Sequence, residues 1–255
     1  MKQYILPADW NGNDEIILTG KDHHYLTRVR RYPRGTSFPG RDRKGNLYTL
    51  TLVSADSGSC TLRAVPVRQE KTENPTEVIL YPCLLKGKNT DLIIRQATEA
   101  GVSRIQPIIT QNSVRKGETG GEDDHRLDRW KKIAREAAQQ CGNPGIPEIL
   151  PPLTLNDVDL NETASPEGRC GLFFHEKTLE NKPLHEYLRE IPAQVSLFFG
   201  PEGGFSPEEV RTFIQSGLNP VYLGDNVLRA ETAVLYGTGA VQTILRERDS
   251  WEMKE

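Results

Sequence analysis

The sequence predicts an α/β protein whose mostly parallel sheet follows a small β-rich module. Short apolar segments separated by Gly, Pro, Asn and Asp fill the first 70 residues, which is typical of a small β-barrel or sandwich. After residue 78, strand and helix patterns alternate, which favours a parallel sheet covered by helices on both faces. Two glycine-containing turns each connect an apolar strand to a helix, which is where ligands bind in open α/β sheets.

The composition is that of a globular protein of one or two domains. Of 255 residues, 36% are hydrophobic and 26% are charged, and the net charge is -3. The chain has no long apolar run and no signal-peptide pattern, so we expect a cytoplasmic protein that does not enter a membrane. The cysteines are far apart and lack metal-site spacing, so we expect reduced thiols and no metal: Cys60, Cys83, Cys141 and Cys170.

Charge is distributed unevenly along the chain. Residues 1–70 carry 11 basic and 7 acidic side chains, whereas the remainder carries 21 and 28. The front is therefore basic, with a net charge of +4, and the rest is acidic, at -7. Such a split indicates a front module that meets an anion.

The front module is predicted to contain short strands joined by turns. Lys44, Gly45 and Asn46 precede alternating apolar residues, which indicates a hairpin. Residues 71–77 have no apolar periodicity and are predicted to form a linker. The predicted domains are therefore a β-rich module at 1–70 and an α/β domain at 78–255.

The α/β domain is predicted from apolar runs that alternate with helical patterns. The strand candidates are 78–85, 104–110, 170–175, 195–200 and 220–224. The helix candidates are 89–101 and 124–142, each closed by a glycine, and 230–246. Periodicity alone is compatible with a plain open α/β domain.

The first ligand-type turn lies in "SLFFGPEGGFSPEEV", residues 196–210. Ser206, Pro207 and Glu209 form a capping-box signal for the following helix. Glu202, inside the turn, argues against a bound phosphate because two anions repel; it suits sugar hydroxyls, an amine or a base edge. The alternative is a structural turn that needs Gly for positive φ, with Glu202 on the surface.

The second turn lies in "LGDNVLRAETA", residues 223–233. Turns at the carboxyl ends of consecutive strands are expected to face one crevice. Their acids and amides would bind an adenosine, and Arg229 would face a polar or anionic substrate. The alternative for Arg229 is an ion pair with Glu231 or Glu202.

"GPEGGFSPEEV" followed by "LGDNVLRAETA" resembles the C-terminal signature of the SPOUT-class RNA methyltransferases, specifically the RsmE family. Further matching segments are 22–35, 84–114 and 129–149. That family methylates N3 of a uridine in the decoding region of 16S ribosomal RNA. The resemblance implies a PUA-like RNA-binding barrel in front and a domain with a deep trefoil knot behind, assembled as a homodimer. Its substrate would be 16S rRNA or the small ribosomal subunit.

The resemblance also implies S-adenosylmethionine as cofactor, with no metal because the sulfonium is itself the activated group. By position, the cofactor-binding residues would be Phe174, Phe198, Gly200, Pro201, Glu202, Gly203, Gly204, Leu223, Gly224, Asn226, Leu228, Thr232 and Ala233. His175 would add a further wall. Catalysis must favour deprotonated uracil, so Arg229 would stabilise the developing negative charge or grip a neighbouring phosphate. Glu231 or Glu202 would act as general base.

Basic residues in the front module would contact RNA phosphates; the alternative is a solvated charged surface. They are Arg28, Arg30, Arg31, Arg34, Arg43 and Lys44. The chain departs from the family pattern at Gly142 and Asn143, where an arginine often stands; if that arginine contacts RNA, this chain would differ in its grip on RNA or in its target, whereas the methyl-transfer loops are unaffected. Two other functions remain open: a knotted methyltransferase acting on a ribose hydroxyl or guanine N1, and a catalytically silent RNA-binding or assembly factor.

Overall fold

The computed structural model describes residues 3–7, 9–42, 44–67, 76–113, 122–164, 168–179 and 182–250. The chain folds into two compact units. Unit 1 comprises Met1–Thr72 and Ala138–Ile146, and unit 2 comprises Glu73–Ala137 and Pro147–Glu255. Most of the predicted linker, and Arg43, lie outside the described residues.

Unit 1 is built on a five-stranded sheet in the order β1-β3-β4-β5-β2. Its elements are β1 (Tyr4–Ile5), β2 (Glu15–Thr19), α1 (Gly20–His24), β3 (Ser37–Arg41), β4 (Leu47–Ala55) and β5 (Ser59–Pro66). All pairs are antiparallel except β1 with β3. Alternate strand residues face a core that includes Tyr4, Leu18, Leu50 and Leu62.

The predicted hairpin is confirmed, because β3 and β4 pair from Arg41 with Leu47 outward. One Asp42 carboxylate oxygen accepts the backbone N–H groups of Lys44 and Asn46, each at 2.9 Å, and Gly45 adopts φ +84°. No element was predicted for residues 20–29. The structure forms α1 there, followed by a turn of π-helix, because His23 and Leu26 are buried on one side.

Unit 2 contains the remaining strands and helices, except that the helix ending at Cys141 belongs to unit 1 from Ala138 onward. The strands are β6 (Glu77–Pro82), β7 (Arg104–Ile105), β8 (Ile108–Ile109), β9 (Glu148–Ile149), β10 (Leu153–Thr154), β11 (Arg169–Phe174), β12 (Gln194–Phe199) and β13 (Asn219–Val221). The helices are α2 (Asn89–Glu99), α3 (Glu122–Cys141), α4 (Leu160–Ala164), α5 (Leu184–Tyr187), α6 (Pro207–Gln215) and α7 (Ala230–Ser250). None of these helices, over the described residues, has the length and apolar character needed to span a bilayer.

The main sheet of unit 2 has six strands in the order β13-β11-β12-β6-β7-β9, and every pair is parallel. This confirms the predicted α/β class with a mostly parallel sheet. The apolar run predicted at 104–110 is not one strand: it breaks at Gln106 and Pro107, and β8 pairs with β10 in a separate sheet. Proline has no N–H group with which to continue the ladder.

Helices cover both faces of this sheet. Consecutive residues of a strand point to opposite faces. Phe198 of β12 packs against Phe213 of α6 (ring centroids 5.3 Å), whereas Phe199 lies against Gly237 of α7. The carboxyl ends of β11, β12 and β13 therefore meet at one edge of the sheet between α6 and α7, and both glycine-containing turns begin at this edge.

Candidate active site

The two turns line one cavity of about 490 Å³ at the carboxyl edge of the sheet. This confirms the expectation that they face a common crevice. Residues predicted as site residues that line it are Phe174, Gly200, Pro201, Glu202, Gly204, Leu223, Gly224, Asn226, Leu228, Arg229, Glu231 and Ala233. His175 also lines the cavity. We call this the cofactor cavity, after the ligand that the resemblance described above implies for the two turns.

The first turn brings bare backbone to the cavity. A Cβ added to Gly200 would lie 3.3 Å from the backbone of Gly204, and Gly204 itself adopts φ +67°. The N–H of Gly204 donates to the carbonyl of Pro201 at 2.9 Å, which closes the turn. Side chains at these glycines would strain or crowd the turn, so a ligand in the cavity meets backbone directly.

The first turn is braced from outside by the segment after β8. The Asn112 side-chain amide donates to the carbonyls of Gly203 and Gly204, at 3.3 and 3.0 Å. The Glu209 carboxylate accepts the N–H of Gln111 through one oxygen and that of Ser206 through the other, both at 2.7 Å. The second of these bonds completes the predicted capping box of α6, which is confirmed. The carbonyls of the turn are therefore held in fixed directions.

The second turn also depends on glycine, because Gly224 adopts φ +116°. The Tyr222 hydroxyl donates to Asp225 at 2.8 Å, and this hydrogen bond raises the pKa of the tyrosine. The turn leads directly into α7, whose first described backbone bond runs from the N–H of Ala233 to the carbonyl of Arg229 at 2.8 Å. The turn thus places Arg229 at the edge of the cavity immediately before a helix.

An apolar wall of stacked aromatic rings bounds the cavity. The rings of Phe174 and Phe199 are parallel, with centroids 4.1 Å apart, and Gly237 of α7 lies against both. A Cβ on Gly237 would come within 2.7 Å of the Phe174 ring. The glycine thus allows α7 to approach the wall closely.

Three predicted cofactor residues do not line the cavity. Phe198 points to the opposite face of the sheet, where its ring stacks on Tyr81 with centroids 4.4 Å apart, and Phe199 takes the position facing the cavity. Gly203 lies against Asn112 on the outside of the turn, and Thr232 is exposed on α7. Because neighbouring strand residues face opposite sides of the sheet, only one of Phe198 and Phe199 can line the cavity.

The polar groups of the cavity are only sparsely paired. Glu202 accepts the backbone N–H of Lys86 at 3.4 Å. The Arg229 side chain is exposed and forms no hydrogen bond or ion pair with the described residues, so neither alternative pairing, with Glu231 or with Glu202, is present there. Burial lowers the pKa of His175, which favours its neutral form. Six further lining residues were not among the site residues predicted from the sequence: Asn89, Glu176, Phe199, Phe205, Val227 and Ala230.

In unit 1, the predicted RNA-contacting residues that the structure describes are all exposed: Arg28, Arg30, Arg31, Arg34 and Lys44. The Arg30 guanidinium lies over the Tyr32 ring, 5.3 Å from its centroid. His23, by contrast, is buried, and its ring nitrogen contacts the carbonyl of Asp56 at 3.1 Å. The histidine therefore has a structural role in the unit.

Gly142 and Asn143 terminate α3. Gly142 adopts φ +86° and donates to the carbonyl of Ala138 at 3.0 Å, and the Asn143 side chain accepts the N–H of Gly145 at 3.1 Å. A left-handed glycine is a common helix end. The departure from the family pattern is therefore accommodated by a regular helix terminus.

The sequence and structure of the chain are similar to those of known RNA methyltransferases. The RNA methyltransferase domain family matches residues 72–242. The ribosomal RNA small subunit methyltransferase E of Synechocystis sp. is 33% identical over 233 residues, which cover 90% of this chain and 73% of that protein. The protein of the same name from Aquifex aeolicus is 31% identical over 225 residues, with 88% and 92% covered.

A solved structure shows the same architecture with a ligand bound. The Legionella pneumophila protein Lpg2936, in complex with the cofactor SAM, superposes with a TM-score of 0.80 at 25% identity. The match covers 95% of this chain and 97% of that one. The likeness therefore extends over both units.

Proposed function

Because the chain belongs to the RsmE family of ribosomal RNA methyltransferases, which use S-adenosylmethionine, we propose that its target is N3 of a uridine in the decoding region of 16S rRNA. The observation that carries the proposal is the convergence of both turns on one cavity with Arg229 at its edge. With such a substrate, the reaction is proposed to take place in the cytoplasm.

The cofactor cavity suits S-adenosylmethionine in size and chemistry. Its volume of about 490 Å³ lies in the range of small-molecule sites. The Phe174 and Phe199 wall, with Leu223 and Leu228, offers apolar surface to adenine, and the glycine turns offer backbone groups to its edge. Asn226 and Glu202 supply polar partners for the ribose and the amino group.

The chemistry asks the protein to stabilise an anionic uracil. When bound, S-adenosylmethionine supplies a methyl group activated by its sulfonium. Glu231 or Glu202 takes the N3 proton, and Arg229 stabilises the negative charge that then spreads over the uracil carbonyl oxygens. N3 gains the methyl group as the bond from carbon to sulfur breaks, and the proton remains on the carboxylate until it passes to water.

Unit 1 is proposed to be a PUA-like module that holds the RNA backbone. Its support is the basic charge of residues 1–70 and the exposed arginines around Tyr32. Replacing Arg28, Arg30 and Arg31 by alanine should reduce the salt slope of RNA binding by about 0.7 per lost phosphate contact to a single strand. The salt slope is measured by filter binding of RNA at several salt concentrations. An unchanged slope would show that these three arginines do not contact RNA phosphates.

We further propose that unit 2 contains a trefoil knot and that the protein is a homodimer. The support for the knot is the resemblance to the RsmE family, and the strand order, in which β12 lies between β11 and β6, is compatible with it. Leu235 and Tyr236 of α7 are 42% and 59% exposed, and such apolar side chains support a partner surface on the helix that follows the site.

The decisive test is the site of methylation. Small subunits from cells lacking the gene should lack N3-methyluridine in the decoding region, and the purified protein with labelled S-adenosylmethionine should restore it. Methylation at a ribose hydroxyl or at a guanine instead would support the alternative of a knotted methyltransferase with a different target position. If calorimetry detected no cofactor binding at tens of micromolar, the chain would act as an RNA-binding or assembly factor.

A further inference from the structure

A second cavity, of about 410 Å³, lies beside the cofactor cavity within unit 2. The turn before α2 contributes to both: Asn89 lines the cofactor cavity, whereas Gly87 and Asp91 line the second. The N–H of Lys86 in this turn donates to Glu202. We call the second cavity the basic cleft; its polar and backbone wall is formed by Gly87, Asp91, His125, Arg126, Arg129 and Trp130.

Positive charge dominates this cleft in a part of the chain that is otherwise acidic. Arg126 and Arg129 line it, and Lys86 and Lys88 are exposed on either side of Gly87 in the turn. Asp91 is its only acidic lining residue among the described residues. Residues 71–255 together carry a net charge of -7, so two lining arginines against one lining carboxylate form a local excess of positive charge.

Asp91 holds the cleft in shape. One of its oxygens accepts a hydrogen bond from Arg129, and the other accepts the indole N–H of Trp130 at 3.2 Å. The Arg129 side chain nevertheless remains 55% exposed, against 19% for Asp91. The Asp91 carboxylate thus holds the Arg129 guanidinium in place, while part of the guanidinium remains exposed to a ligand. Gly87, at φ +61°, lines the cleft with backbone atoms alone because it has no side chain.

We propose that the basic cleft binds a phosphodiester group of the substrate RNA, next to the nucleotide that enters the cofactor cavity. Guanidinium groups match the geometry of phosphate oxygens. Phosphate contacts set the register of a nucleic acid without reading its sequence. A phosphate held one turn away from the cofactor cavity would fix which nucleotide reaches the methyl donor. The inference rests on the proposed function and extends it to a second RNA contact within unit 2.

The test compares the KM for RNA and the salt dependence of RNA binding between a cleft variant and a matched control. The cleft variant replaces Arg126 and Arg129 by alanine. The control, Lys131→Ala, removes an exposed positive charge from the opposite side of α3, since residues two apart on a helix do not share a face. The substrates are an unmodified small-subunit RNA transcript and small subunits that lack the modification.

The cleft variant should raise the KM for RNA about tenfold and reduce the salt slope by about 0.7 for each lost contact to a single strand. Its affinity for S-adenosylmethionine should equal that of the wild type, which also shows that it is folded. If the double arginine variant does not bind the cofactor, the experiment uses Lys88→Glu instead. The Lys88 side chain is exposed and forms no hydrogen bond to the described residues.

An unchanged KM and salt slope in a variant that binds the cofactor would overturn the inference. Normal binding of the naked transcript with weakened binding of the small subunit would also overturn it, since the cleft would then contact a ribosomal protein. A wild-type protein that methylates neither substrate would instead remove the proposed function, so the two failures are distinguishable.

Discussion

Arg229 is the residue on which the proposed chemistry depends most directly. Its side chain is exposed at the cofactor cavity and makes no ion pair with the described residues, so it is available to a ligand. Arg229→Ala should lower kcat about a hundredfold, as the loss of an oxyanion-hole donor does, and leave cofactor affinity unchanged. Single-turnover methyl transfer and calorimetry measure the two effects. Arg211→Ala, at an exposed arginine of α6, is the control, and equal rates in both variants would exclude Arg229 from the reaction.

Asn112 acts on the cofactor cavity without lining it. Its amide holds two carbonyls of the first turn, and each lost hydrogen bond costs about 0.5–1.5 kcal/mol. Asn112→Ala should therefore weaken cofactor binding about tenfold, which corresponds to about 1.4 kcal/mol. Gln111→Ala, at the neighbouring exposed residue, should bind as the wild type does, because only its backbone holds Glu209. Calorimetry compares them, and equal affinities would show that the turn does not need this brace.

At the scale of elements, α7 depends on one glycine for its position against the sheet. An alanine Cβ at Gly237 would lie 2.7 Å from Phe174 and 2.9 Å from Phe199. Gly237→Ala should therefore lower the free energy of unfolding by about 1–3 kcal/mol, the usual cost of overpacking, and weaken cofactor binding through the displaced wall.

Gly239 of the same helix provides the matched control. A Cβ there meets no atom within 4 Å. Gly239→Ala should raise the free energy of unfolding by about 0.5–1 kcal/mol, because alanine restricts the unfolded chain and favours helix. Urea unfolding measures both variants. If both changed stability in the same direction, the close approach at Gly237 would not limit the packing.

At the scale of the whole molecule, association is the property most open to test. Leu235→Lys places a charge in the exposed apolar surface of α7 and should convert the proposed dimer to a monomer. Ile214→Lys, at a residue of α6 that is 51% exposed, should leave the dimer intact. Light scattering after size exclusion reports the mass. A monomeric wild-type protein would contradict the homodimer proposal. A dimeric Leu235→Lys variant would show that the dimer contact does not involve this surface of α7.

The sequence predicted the regular parts of this molecule well because hydrophobic period and helix punctuation encode them. The strand runs at β11 and β12, the capping box at Ser206 and the shared crevice of the two turns were all predicted from local patterns. The choice between Phe198 and Phe199 was wrong because burial on both faces erases the alternation in an all-apolar strand. Asn112 and the basic cleft could not be predicted, since both depend on contacts between segments distant in the sequence.

The close packing of α7 against the Phe174 and Phe199 rings links the cavity to the exposed surface of the helix. Gly237 touches the rings that bound the cofactor cavity, and Leu235 and Tyr236, one turn or less away, face outward. If a ligand in the cavity changes the affinity of this helix surface for a neighbouring molecule, then by thermodynamic reciprocity the neighbour changes the affinity for the ligand by the same factor. If the proposed dimer forms through this surface, cofactor titrations at rising protein concentration should show tighter binding as the dimer forms.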